Sequence, residues 1–435
     1  MNASNSDRVA IIDACRTPFL RSGTEFYDLM AWELGRFAVK GLLVRTGIEP
    51  SMIDYVIMGT VMADISTTNV AREIMLGAGL PGTIPAHTCT AACVSSNIAI
   101  TSACDMINAG EVDTVIAGGT ESMSDPAIKI GKRYRRFLLD LTMYKRPKGI
   151  LGKLKLLKGM KLTDFFMVEK PAIAEYSTGL SMGANADRLA SRLGITRKDQ
   201  DDFAARSHRL ATAATKNGLM KKEIVPIVVP KTGKVVKEDN GPRADATTEK
   251  LALLKPAFDR RNGTVTAANS SFLTDGASAV LLMRESKAKA LGLKPQAFIK
   301  AYAQAGSDPW EELLLGPAFS AARALKKAGI TLADIKVLEI HEAFAAQIIA
   351  NIHYMESEKW GREKLGQDGK LGAVNQELLN TRGGSLSIGH PFGATGGRLI
   401  ASCCNRMQEE NAQFGLVAGC GAGAVGNTII LENAQ

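Results

Sequence analysis

Apolar residues along this chain follow two rhythms. Short runs such as Val9-Ala10-Ile11-Ile12, Asp113 to Gly118, Ala277 to Met283, Phe414 to Gly419 and Asn427 to Glu432 have the length and apolar content of buried strands. Between them lie longer stretches in which apolar residues recur every third or fourth position: Leu34 to Thr46, Asn97 to Ala109, Ala321 to Ala328 and Gly397 to Glu410. That spacing predicts helices with one buried face. Strands alternating with helices predict an α/β fold of βαβ-type units, with a sheet that is mostly parallel and covered on both sides.

The pattern occurs twice. Gly47-Ile48-Glu49-Pro50-Ser51-Met52-Ile53-Asp54-Tyr55-Val56 runs parallel to Gly329-Ile330-Thr331-Leu332-Ala333-Asp334-Ile335-Lys336-Val337-Leu338 at a constant offset of 282 positions. Each copy follows a helical stretch and ends in an apolar run. Further on, Cys93 opens one helix and His390 another, and each helix leads to a buried strand. Two such halves can pack back to back and bring the turns of both to one interface.

Residues 124–254 interrupt the first half and read as an inserted loop domain. The N-terminal half is then 7–123 with 255–292, and the C-terminal half is 293–435. A long helical region runs from Asn185 to Asn217 within the insertion, and 353–380 reads as a smaller surface insertion. The net charge of +9 belongs to one place. Residues 127–170 hold 13 Lys/Arg and 3 Asp/Glu, and the rest of the chain is close to neutral. This excludes a generally nucleic-acid-binding surface and predicts one local anionic partner. Within 129–170 the charges interleave with apolar residues, as in Lys153-Leu154-Lys155-Leu156-Leu157-Lys158. Such a stretch serves as a solvated face, as peripheral contact with an anionic membrane, or as a seat for the phosphates of a ligand or for a partner subunit.

No apolar run reaches the ~18 residues of a membrane span. The seven Cys form no paired CxxC set and the five His complete no zinc pattern, so no metal site is expected. Unpaired thiols and the lack of an apolar leader or basic transit segment at Met1–Asp7 predict a cytoplasmic protein, with peripheral inner-membrane contact through the basic segment.

Three residues in small-residue turns suggest chemistry: Cys93 in Thr90-Ala91-Ala92-Cys93-Val94-Ser95, His390 in Gly389-His390-Pro391-Phe392-Gly393, and Cys420 in Cys420-Gly421-Ala422-Gly423. A thiol attacks only as thiolate, so it needs a base or a positive field. Cys93 precedes a helix, whose amides favour a thiolate or an oxyanion. Pro391 restricts His390, which suits a general base. The amides after Cys420 suit a developing oxyanion. Cys89 and Cys104 read as core. His341-Glu342-Ala343-Phe344 has two readings: a helix start in which Glu342 complements the dipole, or a histidine that polarises a carbonyl. The stretch from Gly263 to Ser271 either bonds a ligand amide or caps the next element, and Gly118-Gly119-Thr120-Glu121-Ser122 is equally open.

In order, Cys93-Val94-Ser95-Ser96, Gly119-Thr120-Glu121-Ser122-Met123-Ser124, Ser181-Met182-Gly183, Gly263 to Gly276, His341-Glu342-Ala343-Phe344, Gly389 to Gly397 and Cys420 to Gly423 resemble the motifs of the thiolases. The likeness runs from about Arg8 to Glu432 and is to the 3-ketoacyl-CoA type, the β-subunit of the fatty-acid oxidation complex. It implies the layered α/β/α/β/α thiolase fold of two duplicated halves with an inserted loop domain. It implies thiolytic cleavage of 3-ketoacyl-CoA by CoA, with CoA as substrate and no cofactor. Cys93 matches the acyl-accepting nucleophile, His390 its base and oxyanion donor, and Cys420 the acid/base at the substrate α-carbon and the CoA thiol. His341 matches the site of the first oxyanion hole, and the amides of Cys93 and Ala422 the second. Ser271 and Arg243 match CoA contacts, and Met182 a residue lining the substrate pocket. Ala422 replaces a common glycine, and Ser181 replaces the histidine of many short-chain members. The implied partners are acyl-CoA, CoA, a second copy in a homodimer or higher assembly, and a hydratase/dehydrogenase α-subunit. Rival readings are a biosynthetic acetyl-CoA acetyltransferase, a decarboxylating ketoacyl synthase, and a silent acyl-CoA-binding subunit.

Overall fold

The computed structural model describes residues 7–435. In chain order its main strands are β1 (Val9–Arg16), β2 (Tyr55–Gly59), β3 (Ala86–Cys89), β4 (Thr114–Glu121), β5 (Thr274–Arg284), β6 (Ala297–Gly306), β7 (Val337–Ile340), β8 (Phe414–Gly421) and β9 (Val425–Asn433). They lie in the order β7-β8-β9-β6-β1-β5-β4-β2-β3, with the short strand Leu20–Arg21 pairing beside β5.

That order is the duplication read outward from its centre. In the first half β5 is antiparallel to β1 and β4, while β4, β2 and β3 run parallel. In the second half β9 is antiparallel to β6 and β8, and β8 runs parallel to β7. A parallel bridge from Leu338 to Leu379 stands where β3 stands in the first half. The halves join where Ala10 and Ile11 of β1 pair with Phe298 and Ala297 of β6.

The sheet is therefore mixed rather than mostly parallel, for a reason that lies in how each half ends. The chain turns from β8 into β9 through Ala422, Gly423 and Ala424, with Gly421 paired to Val425. Gly423 (φ 84°) and Ala424 (φ 56°) supply the left-handed backbone of this tight hairpin. A hairpin forces antiparallel pairing. In the first half β4 and β5 pair in the same way, and the long insertion occupies the place of the turn.

The helices used below are α1 (Ala31–Thr46), α2 (Ser95–Asn108), α3 (Met182–Leu193), α4 (Arg197–Lys216), α5 (Gly316–Ala328), α6 (Ala345–Glu356) and α7 (Thr395–Glu410). α2 and α7, the duplicate pair, pack on each other. Every residue of α7 from Thr395 to Met407 is buried, as an inner layer requires. One apolar core joins Ile100 and Cys104 of α2, Leu399 and Cys403 of α7, Val115 of β4 and Val417 of β8. A second core lies under α1, and a third under α5 and α6.

By its contacts the described chain forms a main body, 7–125 with Ala174–Gln435, and a small unit, Pro126–Ile173. Of the 124–254 stretch, 174–254 belongs to the main body. The helical region read as 185–217 is two helices. Gly194, at φ 65°, ends α3, and Thr196 begins α4 by exchanging hydrogen bonds with Asp199. Arg16, fully buried at the end of β1, binds Glu223 at 2.7 Å and Asp239 at 2.6 Å, which fastens this part of the insertion to the sheet. The small unit pairs Lys129–Ile130 with Val168–Glu169 and carries helices Lys132–Leu139 and Gly149–Leu156. Tyr134 packs on Phe137 and Phe165 within it.

Candidate active site

Cys93 lies in the turn from β3 into α2. Ala92 before it has φ 49°, a left-handed backbone that costs an L-residue about 1–2 kcal/mol. Ser95 holds that backbone in place. Its Oγ accepts the N–H of Ala91 at 2.9 Å and donates to the carbonyl of Ala92 at 2.6 Å. The turn brings Cys93 against the β8–β9 hairpin, where Gly421 backs on the carbonyl of Ala91 and the amides of Ala422 and of Cys93 itself favour the thiolate. Burial, and after it the charge of Glu121, push the Cys93 thiol up to about 12, against the pull of those two amides. Cys420, at the end of β8, is 2% exposed. Burial first, and the neighbouring Cys93 second, hold its thiol well above the ordinary value. Both sulfurs therefore rest as neutral thiols, and the nucleophile must give up its proton on demand.

His390 stands in a turn that only its neighbours permit. Gly389 has φ 114°, and its own N–H leads back to the Ser385 carbonyl. The His390 N–H donates to Thr274 Oγ1 at 3.0 Å, and its Nδ1 lies 2.7 Å from Thr395 Oγ1. His341 follows β7. Its N–H donates to the Ala418 carbonyl at 2.8 Å, two residues before Cys420, and its Nδ1 lies 3.0 Å from Ser385 Oγ. The two imidazoles face each other with ring centroids 4.1 Å apart. Both Nε2 atoms are buried and take no partner among the described residues. Burial, then Arg398, hold His390 down to about 3. Burial, then His390 and Arg398, hold His341 well below its ordinary range. Both rings are neutral.

The structure thus brings the Cys93 turn to the hairpin of Cys420 and Ala422, the strand of Cys420 to His341, and His341 to His390. Glu342 does not sit in a helix's first turn, because α6 begins at Ala345. It is fully buried and accepts from Ser207 at 2.7 Å and Asn380 at 2.8 Å, pinning the segment that leads to Ser385. Cys104 is buried on α2, and Cys89, half-buried, donates to the Ser95 carbonyl at 3.5 Å.

Two carboxylates shape this site: Glu121, in a stretch that sequence reasoning left open, and Glu175, which it did not single out. Glu121, fully buried at the end of β4, accepts from Thr60 Oγ1 (3.2 Å) and from the N–H groups of Val61 (3.0 Å), Met62 (2.9 Å) and Gly393 (3.0 Å). It ties the loop after β2 to the His390 turn of the other half. Glu175 accepts the N–H of Gly423 at 2.7 Å and so braces the hairpin that holds Ala422. A charged residue ending an otherwise apolar, glycine-rich strand was the one signal that could have marked Glu121. Gly119 is required for a related reason: a Cβ there would overlap the carbonyl of Gly393.

Met182 opens α3 and belongs to the same apolar core as Phe344 and Cys420. Ser271 is half-buried, and its N–H donates to the Ala343 carbonyl at 2.9 Å. Arg243 is exposed, and its N–H donates to His208 Nδ1 at 3.2 Å. A cleft of about 450 Å³ beside α3, lined by Leu180, Arg188, Arg192, Trp310 and Leu314, contains none of the reactive side chains. Here hydrogen bonding, rather than cavity size, locates the chemistry.

Residues 9–286 match the family model described as thiolase, N-terminal domain, and 293–433 match thiolase, C-terminal domain. The chain is 46% identical over 428 residues to the mitochondrial trifunctional enzyme subunit beta of Bos taurus, covering 98% of this chain and 89% of that protein. It is 42% identical over 426 residues to the 3-ketoacyl-CoA thiolase of Yersinia enterocolitica, covering 98% and 97%. The crystal structure of human mitochondrial 3-ketoacyl-CoA thiolase superposes with TM-score 0.83 at 29% identity, over 99% of this chain and all of that one. Two family domains in consecutive order, and likeness along nearly the whole length to named members, establish that the chain belongs to the thiolase family.

Proposed function

We propose that the chain is a 3-ketoacyl-CoA thiolase of fatty-acid β-oxidation, cleaving 3-ketoacyl-CoA with CoA to acetyl-CoA and a shortened acyl-CoA. The observation that carries this reading is the meeting of the Cys93 turn with the hairpin of Cys420 and Ala422, in a structure that also buries two contacting imidazoles with unpartnered Nε2 atoms. Cys93 passes its proton to His390 Nε2, and its sulfur bonds to the 3-keto carbon. The bond between C2 and C3 breaks, and its electron pair passes to the acetyl-CoA enolate, which takes a proton from the Cys420 thiol. The CoA thiol then gives its proton to Cys420 and attacks the Cys93 thioester; the Cys93–acyl bond breaks, Cys93 leaves with its electron pair and recovers its proton from His390, and the shortened acyl-CoA is released. His341 Nε2 and the amides of Cys93 and Ala422 are assigned as oxyanion donors. Ser271 and Arg243 are assigned to CoA, and Met182 to the acyl pocket. Arg243 has no ion-pair partner among the described residues, which favours a phosphate. The relatives named above, a 3-ketoacyl-CoA thiolase and a trifunctional enzyme subunit beta, support the substrate class and a partner α-subunit.

Steady-state cleavage of 3-ketoacyl-CoA substrates of graded length, with and without CoA, tests this. CoA-dependent loss of substrate and a covalent acyl group on Cys93, absent in Cys93→Ala, are expected. No CoA-dependent cleavage at any length sinks the reading.

The Pro126–Ile173 unit carries a second part of the proposal, peripheral binding to anionic membrane. Ile150 and Leu151 are 77% and 78% exposed beside the basic residues of the segment, and Met143, Leu154, Leu162 and Phe166 are exposed with them. No described helix is long and apolar enough to cross a membrane. Flotation with anionic vesicles, lost with neutral vesicles or at high salt, is expected. The outer edge of β3 is unpaired in the sheet, which supports a second copy covering it.

A further inference from the structure

We infer that Ser385 and Thr395 are positioning residues that impose opposite tautomers on the paired imidazoles, so that His341 presents an Nε2–H donor and His390 a bare Nε2 acceptor. The division of labour that follows rests on the proposed thiolysis, but the tautomers do not.

A neutral imidazole carries one ring proton, and the partner of one nitrogen fixes the state of the other. Each ring has its Nδ1 on a hydroxyl, at 3.0 Å for His341 on Ser385 and 2.7 Å for His390 on Thr395. A hydroxyl can donate or accept, so its second neighbour decides. For Ser385 that neighbour is a donor: Arg398 Nη2 lies 3.4 Å from Ser385 Oγ. A guanidinium has no acceptor. It takes a lone pair of the serine and leaves the single hydroxyl proton for His341 Nδ1, which puts the ring proton on Nε2. For Thr395 the second neighbour is an acceptor, the Pro391 carbonyl at 3.5 Å. A carbonyl cannot donate. The threonine proton turns to it, Oγ1 accepts from His390 Nδ1–H, and His390 Nε2 keeps its lone pair.

Burial favours this arrangement. Arg398 is fully buried and its nearest carboxylate, Glu339, lies 3.6 Å away, so its charge disfavours protonation of either ring. With imidazolium suppressed, tautomer choice alone distinguishes two rings that share one small space. The consequence is a base and a donor side by side. Of the two rings, only His390 can take the Cys93 proton, and only His341 can bond a substrate carbonyl oxygen before that proton has moved.

The test is two-bond ¹⁵N–¹H correlation on the full chain labelled with ¹⁵N-histidine, with His341→Asn and His390→Asn to assign the signals. Protonated Nε2 on His341 and protonated Nδ1 on His390 are expected in the unliganded protein. Two like tautomers, or the reverse pair, overturn the inference whatever the variants do. Ser385→Ala is expected to mix the His341 tautomers and lower kcat by about tenfold at little changed KM, short of the ~100–1000-fold of losing an oxyanion donor outright. Ser385→Thr, which keeps the hydroxyl, is expected to restore both. An unchanged spectrum and kcat in Ser385→Ala also overturn it. Correct tautomers in a protein without thiolysis would sink the proposed reaction and leave this inference standing. Wrong tautomers in an active enzyme would do the opposite.

Discussion

Glu121 offers a graded perturbation whose size can be worked from its four hydrogen bonds. Oε1 takes the Thr60 hydroxyl and the Met62 N–H, and Oε2 takes the N–H groups of Val61 and Gly393. In Glu121→Gln one oxygen survives. With that oxygen kept on the Val61 and Gly393 side, the new NH₂ faces Thr60, whose hydroxyl can reverse and accept, and Met62, whose N–H cannot. One buried amide is orphaned, at a cost of about 1–3 kcal/mol. Glu121→Ala orphans three amides, roughly 3–9 kcal/mol before water enters, and releases Gly393 and with it the His390 turn. Glutamine should therefore lower the unfolding temperature by several degrees and kcat by less than about tenfold. Alanine, where it folds, should lower kcat by about 100-fold or more, the scale of a misplaced catalytic group. Thermal unfolding followed by circular dichroism, run beside steady-state thiolysis, reads both quantities. A folded Glu121→Ala enzyme with near wild-type kcat would refute the tether, as would glutamine and alanine variants of equal damage.

Three further outcomes are expected. Stability should fall in acid: burial, aided by neighbouring arginines, depresses His390 from 6.5 to about 3 and His208 from 6.5 to about 4. Depressed bases stabilise the fold above the unfolded value, and that contribution is lost as pH falls from about 6.5 through about 4 to 3, at no more than roughly 1.4 kcal/mol per unit for each ring; urea unfolding at pH 7 and pH 5 checks it, and equal stabilities would contradict the burial of neutral histidines. Alkylation of Cys93 by iodoacetamide in the free enzyme should keep rising through pH 9 to 10, since its thiol is pushed up to about 12; a plateau near neutrality would mean a resting thiolate. Arg16→Leu leaves Glu223 and Asp239 buried without their cation and should cost about 3–5 kcal/mol in urea unfolding, while a loss under 1 kcal/mol would mean that water reaches them.

Much of this fold was legible because the duplication leaves local marks. Gly47 and Gly329, equivalent in the repeat, both end helices in the left-handed conformation, at φ 63° and 68°. Each precedes a short 3₁₀ turn, Pro50–Met52 or Leu332–Asp334, and then a buried strand. Cys93, His390 and Cys420 stood out because small residues crowd them. Strand direction was not legible, since an apolar run reads the same in a parallel or an antiparallel ladder. The break at Gly194 was hidden inside one amphipathic pattern. The supports of the site, Glu121 for Gly393 and Ser385 for His341, join residues 272 and 44 positions apart, and no local periodicity records such a bond.

The insertion leaves β4 and returns at β5, at the point where the sister half turns around in three small residues. Chain added or removed there need not disturb the register of any strand, provided that Glu175, Ser207, Glu223 and Asp239 keep their bonds to the hairpin, to Glu342 and to Arg16. The rest of the inserted chain can thus diverge independently of the bond-making machinery. Grafting a different segment that retains those four residues between the same two strand ends should redirect which compounds are accepted and leave the reaction itself intact.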